Sequence, residues 1–173
     1  LRGLGINDKN FNLYISLGIA NEKLNQNEEA IKNFSNAIKI KSDMFEALNN
    51  LGFLYNKMKK FDLAIEYLKK CIEIKKDYPE ANYNLGFSYF NTNDFNNAKL
   101  YFEKSLNLKH KSKDTNFYLG EISKHNKNYI EALNYFKISN HNKAQIRILE
   151  MLVITNENDE YLKTLTNIKD VDD

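Results

Sequence analysis

The sequence predicts an all-α protein built as an array of antiparallel helix pairs, and three observations lead there. Gly18, Gly52, Gly86 and Gly120 each follow a leucine, and each interval is 34 residues. On that period Ala30, Ala64, Ala98 and Ala132 fall twelve residues after the glycine, and Phe34, Leu68, Phe102 and Phe136 sixteen after it; the small residues Ala37, Cys71, Ser105 and Ser139 fall nineteen after it. Self-similarity at a period of roughly 20–50 residues marks a stacked array. Finally, six glycines and one proline in 173 residues leave little of the turn chemistry that a multi-stranded β protein needs.

Each unit reads as two helices. In the second, Leu48, Leu51, Tyr55 and Met58 form one apolar stripe at spacings of three and four. After the break Lys59-Lys60-Phe61-Asp62, the residues Leu63, Ala64, Tyr67, Leu68, Cys71 and Ile72 form a second. Applied to every unit, the pattern predicts helices near 12–24, 28–41, 46–58, 62–75, 80–92, 96–109, 114–126 and 130–139. Asparagines at 140 and 142 replace the apolar residues seen at Ile72 and Ile74, so Ser139-Asn140-His141-Asn142 reads as a stop. Ala144–Ile154 predicts one more amphipathic helix and Asp159–Ile168 a short last one, a divergent pair over 143–169 that caps an open apolar end. Residues 1–10 and 170–173 read as tails, and the start at Leu1 suggests a piece of a longer chain. A glycine within a helix costs about 1 kcal/mol against alanine. Its repetition predicts a close backbone approach, with the alanine twelve residues on as its small counterpart.

Charge and cysteine usage exclude several classes. Twenty-five basic against 23 acidic residues leave a formal +2, unlike the clustered basic excess of a nucleic-acid surface. No run of about 18 apolar residues is present, so no membrane span is expected. With no secretory leader and one cysteine, neither a disulfide framework nor a multi-cysteine metal site is expected, and a cytoplasmic location is favoured. Asparagine (27) and lysine (23) are abundant and arginine (2) rare, which matches A-rich codons better than a specialised surface.

The sequence offers no catalytic constellation. Gly3 and Gly5 form an isolated pair with no preceding strand, and the remaining glycines belong to the repeat. His110, His125 and His141 lie 15 and 16 residues apart, without ligand spacing. Cys71 occupies the small-residue column and reads as a packing residue, not a nucleophile. The lysines around 57–76 are interleaved with Asp62, Glu66, Glu73 and Asp77, as on a solvated face. No enzymatic activity, cofactor or metal is expected.

A 34-residue helix–turn–helix unit with Leu-Gly in its first helix, and Ala, Phe and a small residue in its second, resembles the tetratricopeptide repeat. The resemblance spans 11–142 as units 11–44, 45–78, 79–112 and 113–142. It departs at the family's fourth-position aromatic, where Tyr14, Leu48, Asn82 and Asn116 stand, and in lacking the usual inter-repeat proline, Pro79 lying one position later. The resemblance implies a right-handed α-solenoid, a superhelix whose concave face, lined by the first helices, holds a peptide or another protein. On that face it brings Asn49, Asn50, Phe53, Tyr83, Asn84, Phe87, Phe90 and Phe117 forward, with Asn56 and Lys57 beside them. Asn50 and Asn84 share one repeat position and resemble the asparagine ladder with which some family members hold a peptide backbone. The five aromatics would form an apolar strip. The clamp by which other members grip heat-shock chaperone tails (Lys, Asn, Asn, Lys, Arg) corresponds here to Ile15, Ile19, Asn50, Glu80 and Asn84, so chaperone tails do not fit. The implied role is a non-catalytic scaffold. Self-association as a homo-oligomer, or service as a regulatory appendage of an enzyme, are the alternatives.

Overall fold

The computed structural model describes residues 10–109, 114–139 and 141–155. These hold nine α-helices and no strand: α1 (Phe11–Lys23), α2 (Asn27–Ile40), α3 (Phe45–Lys57), α4 (Phe61–Ile74), α5 (Pro79–Asn91), α6 (Phe95–Asn107), α7 (Thr115–His125), α8 (Tyr129–Ile138) and α9 (Ala144–Thr155). The protein is an all-α repeat solenoid, and its contacts gather into two compact units, the first holding α1–α6 and the second α7–α9. All but Asn10 of the predicted tail at 1–10, the predicted helix at 159–168 and the predicted tail at 170–173 lie outside the described residues.

The first six helices begin one residue earlier than the apolar stripes suggest, at Phe11, Asn27, Phe45, Phe61, Pro79 and Phe95. Few of these starts have a capping side chain. Asn10 accepts a hydrogen bond from the Leu13 amide and Asp94 one from the Asn97 amide, each at 3.2 Å.

The turn within each helix pair is periodic in its backbone. Asn25, Lys59, Asn93 and Lys127, at the 34-residue interval, all lie at φ 58–61°. In the second repeat the Lys59 amide donates to the Asn56 carbonyl (2.9 Å) and the Lys60 amide to the Tyr55 carbonyl (2.8 Å). This paired closure satisfies carbonyls orphaned at the end of α3 and is the Schellman motif. It recurs after α1, α5 and α7.

In the first unit, α1–α6 form three helix hairpins. Their core includes Ala30, Phe34, Leu51, Leu54, Ala64, Leu68, Ala81 and Leu85, all buried. The repeated glycines serve this packing differently from the expectation. A β-carbon at Gly18 would lie 2.6 Å from the Phe34 ring, one at Gly86 2.9 Å from Phe102, and one at Gly52 would run into Leu68. The glycine's counterpart is therefore the large residue sixteen positions on, not the alanine twelve on. It leaves room for a side chain, where a backbone approach was expected. A stacked tyrosine pair also repeats across the hairpins, Tyr55–Tyr67 at 5.5 Å and Tyr89–Tyr101 at 5.7 Å.

The small column does more than pack. The buried Cys71 thiol donates to the Phe45 carbonyl (3.2 Å), and Ser105 donates to the Pro79 carbonyl (3.0 Å), the equivalent bond one repeat on. Burial, helped by the nearby Glu46 carboxylate, pushes the Cys71 thiol up to about 12, so it carries no nucleophilic thiolate near neutrality.

The second unit packs α7, α8 and α9 around Phe117, Leu133, Phe136, Met151 and Leu152. Arg147 of α9 pairs with Glu121 of α7 and with Glu150, and Lys124 of α7 reaches Glu150 at 2.7 Å.

Candidate functional site

The first helices of repeats two and three, α3 and α5, enclose a cup of about 510 Å³. Phe53 and Asn56 from α3 face Tyr83, Asn84 and Phe87 from α5, and Phe61 extends the wall from the start of α4. Its four rings are partly exposed: Phe53 is 42 % exposed, while Phe61, Tyr83 and Phe87 are half-buried. Phe61 meets Phe87 edge-on at 6.4 Å. Lys57 and Lys59 stand at the mouth, and among the described residues no carboxylate lines the cup. Lys57 is held in place, its ammonium 3.2 Å from Glu22 Oε1 and 2.9 Å from Asn25 Oδ1.

Beneath the rings, amides bind the two helices together. Asn56 Nδ2 donates to the Asn84 carbonyl (2.9 Å), Ser88 Oγ donates to Asn56 Oδ1 (2.7 Å), and Asn84 Nδ2 donates to Asn49 Oδ1 (3.0 Å). Buried polar groups must be paired in this way or they destabilise the fold. These bonds tie α3 to α5 independently of any ligand.

Of the eight residues read from the sequence, Phe53, Tyr83, Asn84 and Phe87 come together in the cup. Asn50 is half-buried beside it and makes no side-chain hydrogen bond among the described residues, so Asn50 and Asn84 are not equivalent rungs: the Asn84 amide is already engaged with Asn49. Phe90 is half-buried and packs edge-on against Phe95 at 5.7 Å, within its own hairpin. Two residues depart from the expected open face. Asn49 is 7 % exposed, because it is the acceptor of the interhelix bond. Phe117 is likewise 7 % exposed, stacked on His141 at 3.9 Å and packed against Phe136 in the core of the second unit. Sequence reading passed over Asn56 and Ser88 as the interhelix tie, and Phe61 as a wall. A polar pair at positions 12 and 10 of consecutive first helices was the available signal.

No group of three His, Cys, Asp or Glu side chains among the described residues is placed to hold a metal ion. None of the described helices is long and apolar enough to cross a membrane.

Fold and cup together define a class, the helical repeat proteins whose paired helices present a groove of side chains. Models of the tetratricopeptide repeat match residues 45–78 and 79–111, and a further model of the same repeat matches 23–59. The chain belongs to the tetratricopeptide repeat family. No curated protein matches it in sequence. Solved structures share the fold. The crystal structure of the MamA protein superposes at a TM-score of 0.80 with 20 % identity, over 90 % of this chain and 88 % of MamA. YrrB, described as a TPR protein with an unusual peptide-binding site, gives 0.80 with 18 % identity over 95 % and 88 %. Pseudomonas aeruginosa pilF gives 0.81 with 18 % identity over 93 % and 76 %.

Proposed function

We propose that this protein is a non-catalytic interaction scaffold that holds an extended segment of another protein, with the aromatic cup between α3 and α5 as its anchor site. The observation that carries the reading is the cup itself: about 510 Å³, four partly exposed rings and no carboxylate among its lining residues. A volume in the range of roughly 300–1,000 Å³ suits one bulky side chain and its neighbours. Burying such a side chain contributes about 1.5–3 kcal/mol. Asn50 and the side-chain oxygen of Asn84 flank the path a backbone would take, in a secondary role because one of the two N–H donors of the Asn84 amide is engaged with Asn49.

Selection of a displayed library of linear dodecapeptides on the purified protein tests this. Selected peptides should share one large apolar residue and lose at least tenfold in affinity on Phe53→Ala, whose exposed ring contributes little to the fold. Asn50→Ala should cost less than threefold. If Asn50→Ala abolishes binding while Phe53→Ala leaves it intact, the backbone ladder is the site. If neither variant matters, the cup is not the recognition surface.

A further inference from the structure

A second pocket, of about 480 Å³, lies on the side formed by the second helices of repeats two and three. Ile72 of α4 and Tyr101 and Leu108 on the α6 side give it apolar walls, and Asn82 of α5 lines it from within. Asn82 stands where the preceding repeat has Leu48. Leu48 is a buried core residue, sharing its cluster with Ile38 and Tyr67. An asparagine cannot supply that apolar packing, and here it lines the pocket instead.

The asparagine is also incompletely satisfied. It is 1 % exposed, and its Nδ2 donates to the carbonyls of Tyr78 (2.8 Å) and Lys76 (3.3 Å). Only the nitrogen of an amide can face two carbonyls, so the orientation is fixed by chemistry. The oxygen is turned away from them, buried and without a donor. An unpaired buried acceptor destabilises the fold, and a partner that supplies the missing donor recovers that loss on binding.

From these two observations we propose that the pocket at Asn82 is a binding site for a flat aromatic ring carrying one N–H or O–H donor, such as an indole, its face against Ile72, Tyr101 and Leu108 and its donor to Asn82 Oδ1. The rim favours a neutral ring over a phosphorylated ligand. Lys69, Lys76 and Lys104 stand there, but Glu73 and Asp77 are interleaved with them. Because the oxygen is shielded from bulk solvent, the donor reaches it only as the pocket floor around Asn82 opens to admit the ring. This site is independent of the cup between α3 and α5, and neither reading depends on the other.

Heteronuclear NMR titration of the isotopically labelled protein with indole, 1-methylindole and N-acetyl-tryptophanamide tests it. Indole should shift the resonances of Ile72, Tyr101 and Leu108, and 1-methylindole, which has the same ring but no donor, should bind at least fivefold more weakly. Asn82→Leu, which puts an apolar side chain where the orphaned oxygen stood, should abolish those shifts while the melting temperature holds or rises. Tighter binding of N-acetyl-tryptophanamide than of indole would assign the site to a partner's side chain, and the reverse to a free small molecule; both support the proposal. Equal affinity for indole and 1-methylindole, shifts confined to the Phe53–Phe87 cup, no binding of any probe, or indole binding that survives Asn82→Leu would each overturn it.

Discussion

At the scale of single residues, the 34-residue period is written into backbone conformation as much as into side chains. Asn25 and Asn93 take the left-handed conformation that asparagine tolerates, but the same turn places Lys59 there, at φ 58°. A side chain with a β-carbon costs about 1–2 kcal/mol in that region, and glycine avoids the clash while adding about 0.5–1 kcal/mol of unfolded-chain entropy. Lys59→Gly should therefore stabilise the protein by about 0.5 kcal/mol, read as a rightward shift of the urea midpoint. Lys60→Gly, at an ordinary φ of −93°, should bring no gain. Equal shifts for the two variants would mean that the turn carries no strain. Nothing in the sequence flags Lys59 except its register with Asn25 and Asn93, because lysine is ordinarily a helix or surface residue. The bonds from Cys71 to the Phe45 carbonyl and from Ser105 to the Pro79 carbonyl were equally hidden, since a size column does not reveal a hydrogen bond.

At the scale of the elements, spacing alone located every described helix pair, because a stripe of apolar residues at three and four is a direct image of the buried face. It places the starts of the first six helices one residue late, since Phe45, Phe61 and Phe95 stand just before the apolar stripes yet are the first helical residues. It also gave the glycines the wrong neighbour: periodicity says that a position is crowded, not by what. The corrected contact sharpens the consequence. Gly52→Leu would drive a large side chain into Leu68, where even a β-carbon does not fit. Overpacking costs roughly 1–3 kcal/mol, and occasionally more, so a shift of at least that size is expected in chemical denaturation. Lys69→Ala, on the solvent side of α4, should stay within about 0.5 kcal/mol. If both variants melted together with the wild type, α3 and α4 would not meet at Gly52.

For the molecule as a whole, the cup was legible to the extent that it depends on helical register. Phe53, Tyr83, Asn84 and Phe87 were found because positions 5, 6 and 9 of a helix share a face. Asn49 and Phe117 belong to that same face but are buried, one by an interhelix amide bond and the other by stacking against His141; both partners are distant in sequence, and no period encodes them. Long-range pairing also governs how the chain responds to pH. With a formal net charge of only +2, general self-repulsion is weak, and local networks set the dependence. The strongest described one surrounds Glu150. Partial burial acts to raise its pKa, but hydrogen bonds and charge from Lys124 and Arg147 outweigh that and hold the carboxyl below the usual carboxylate range. A carboxylate with a depressed folded-state pKa contributes stability that is complete above its unfolded value, about 4.3, and is lost as pH falls through the folded one. Glu150 is partly exposed and its partners are surface cations, so the contribution is about 0.5–1 kcal/mol, not a buried-pair value. Glu150→Gln should therefore melt below the wild type at pH 7, and the gap should close between about pH 5 and pH 3. Raising salt to 1 M at pH 7, where the Debye length falls to about 3 Å, should narrow the same gap. A difference that persists unchanged at pH 3 would show that Glu150 acts by packing and not by charge, and that Arg147 and Lys124 do not hold α9 against α7.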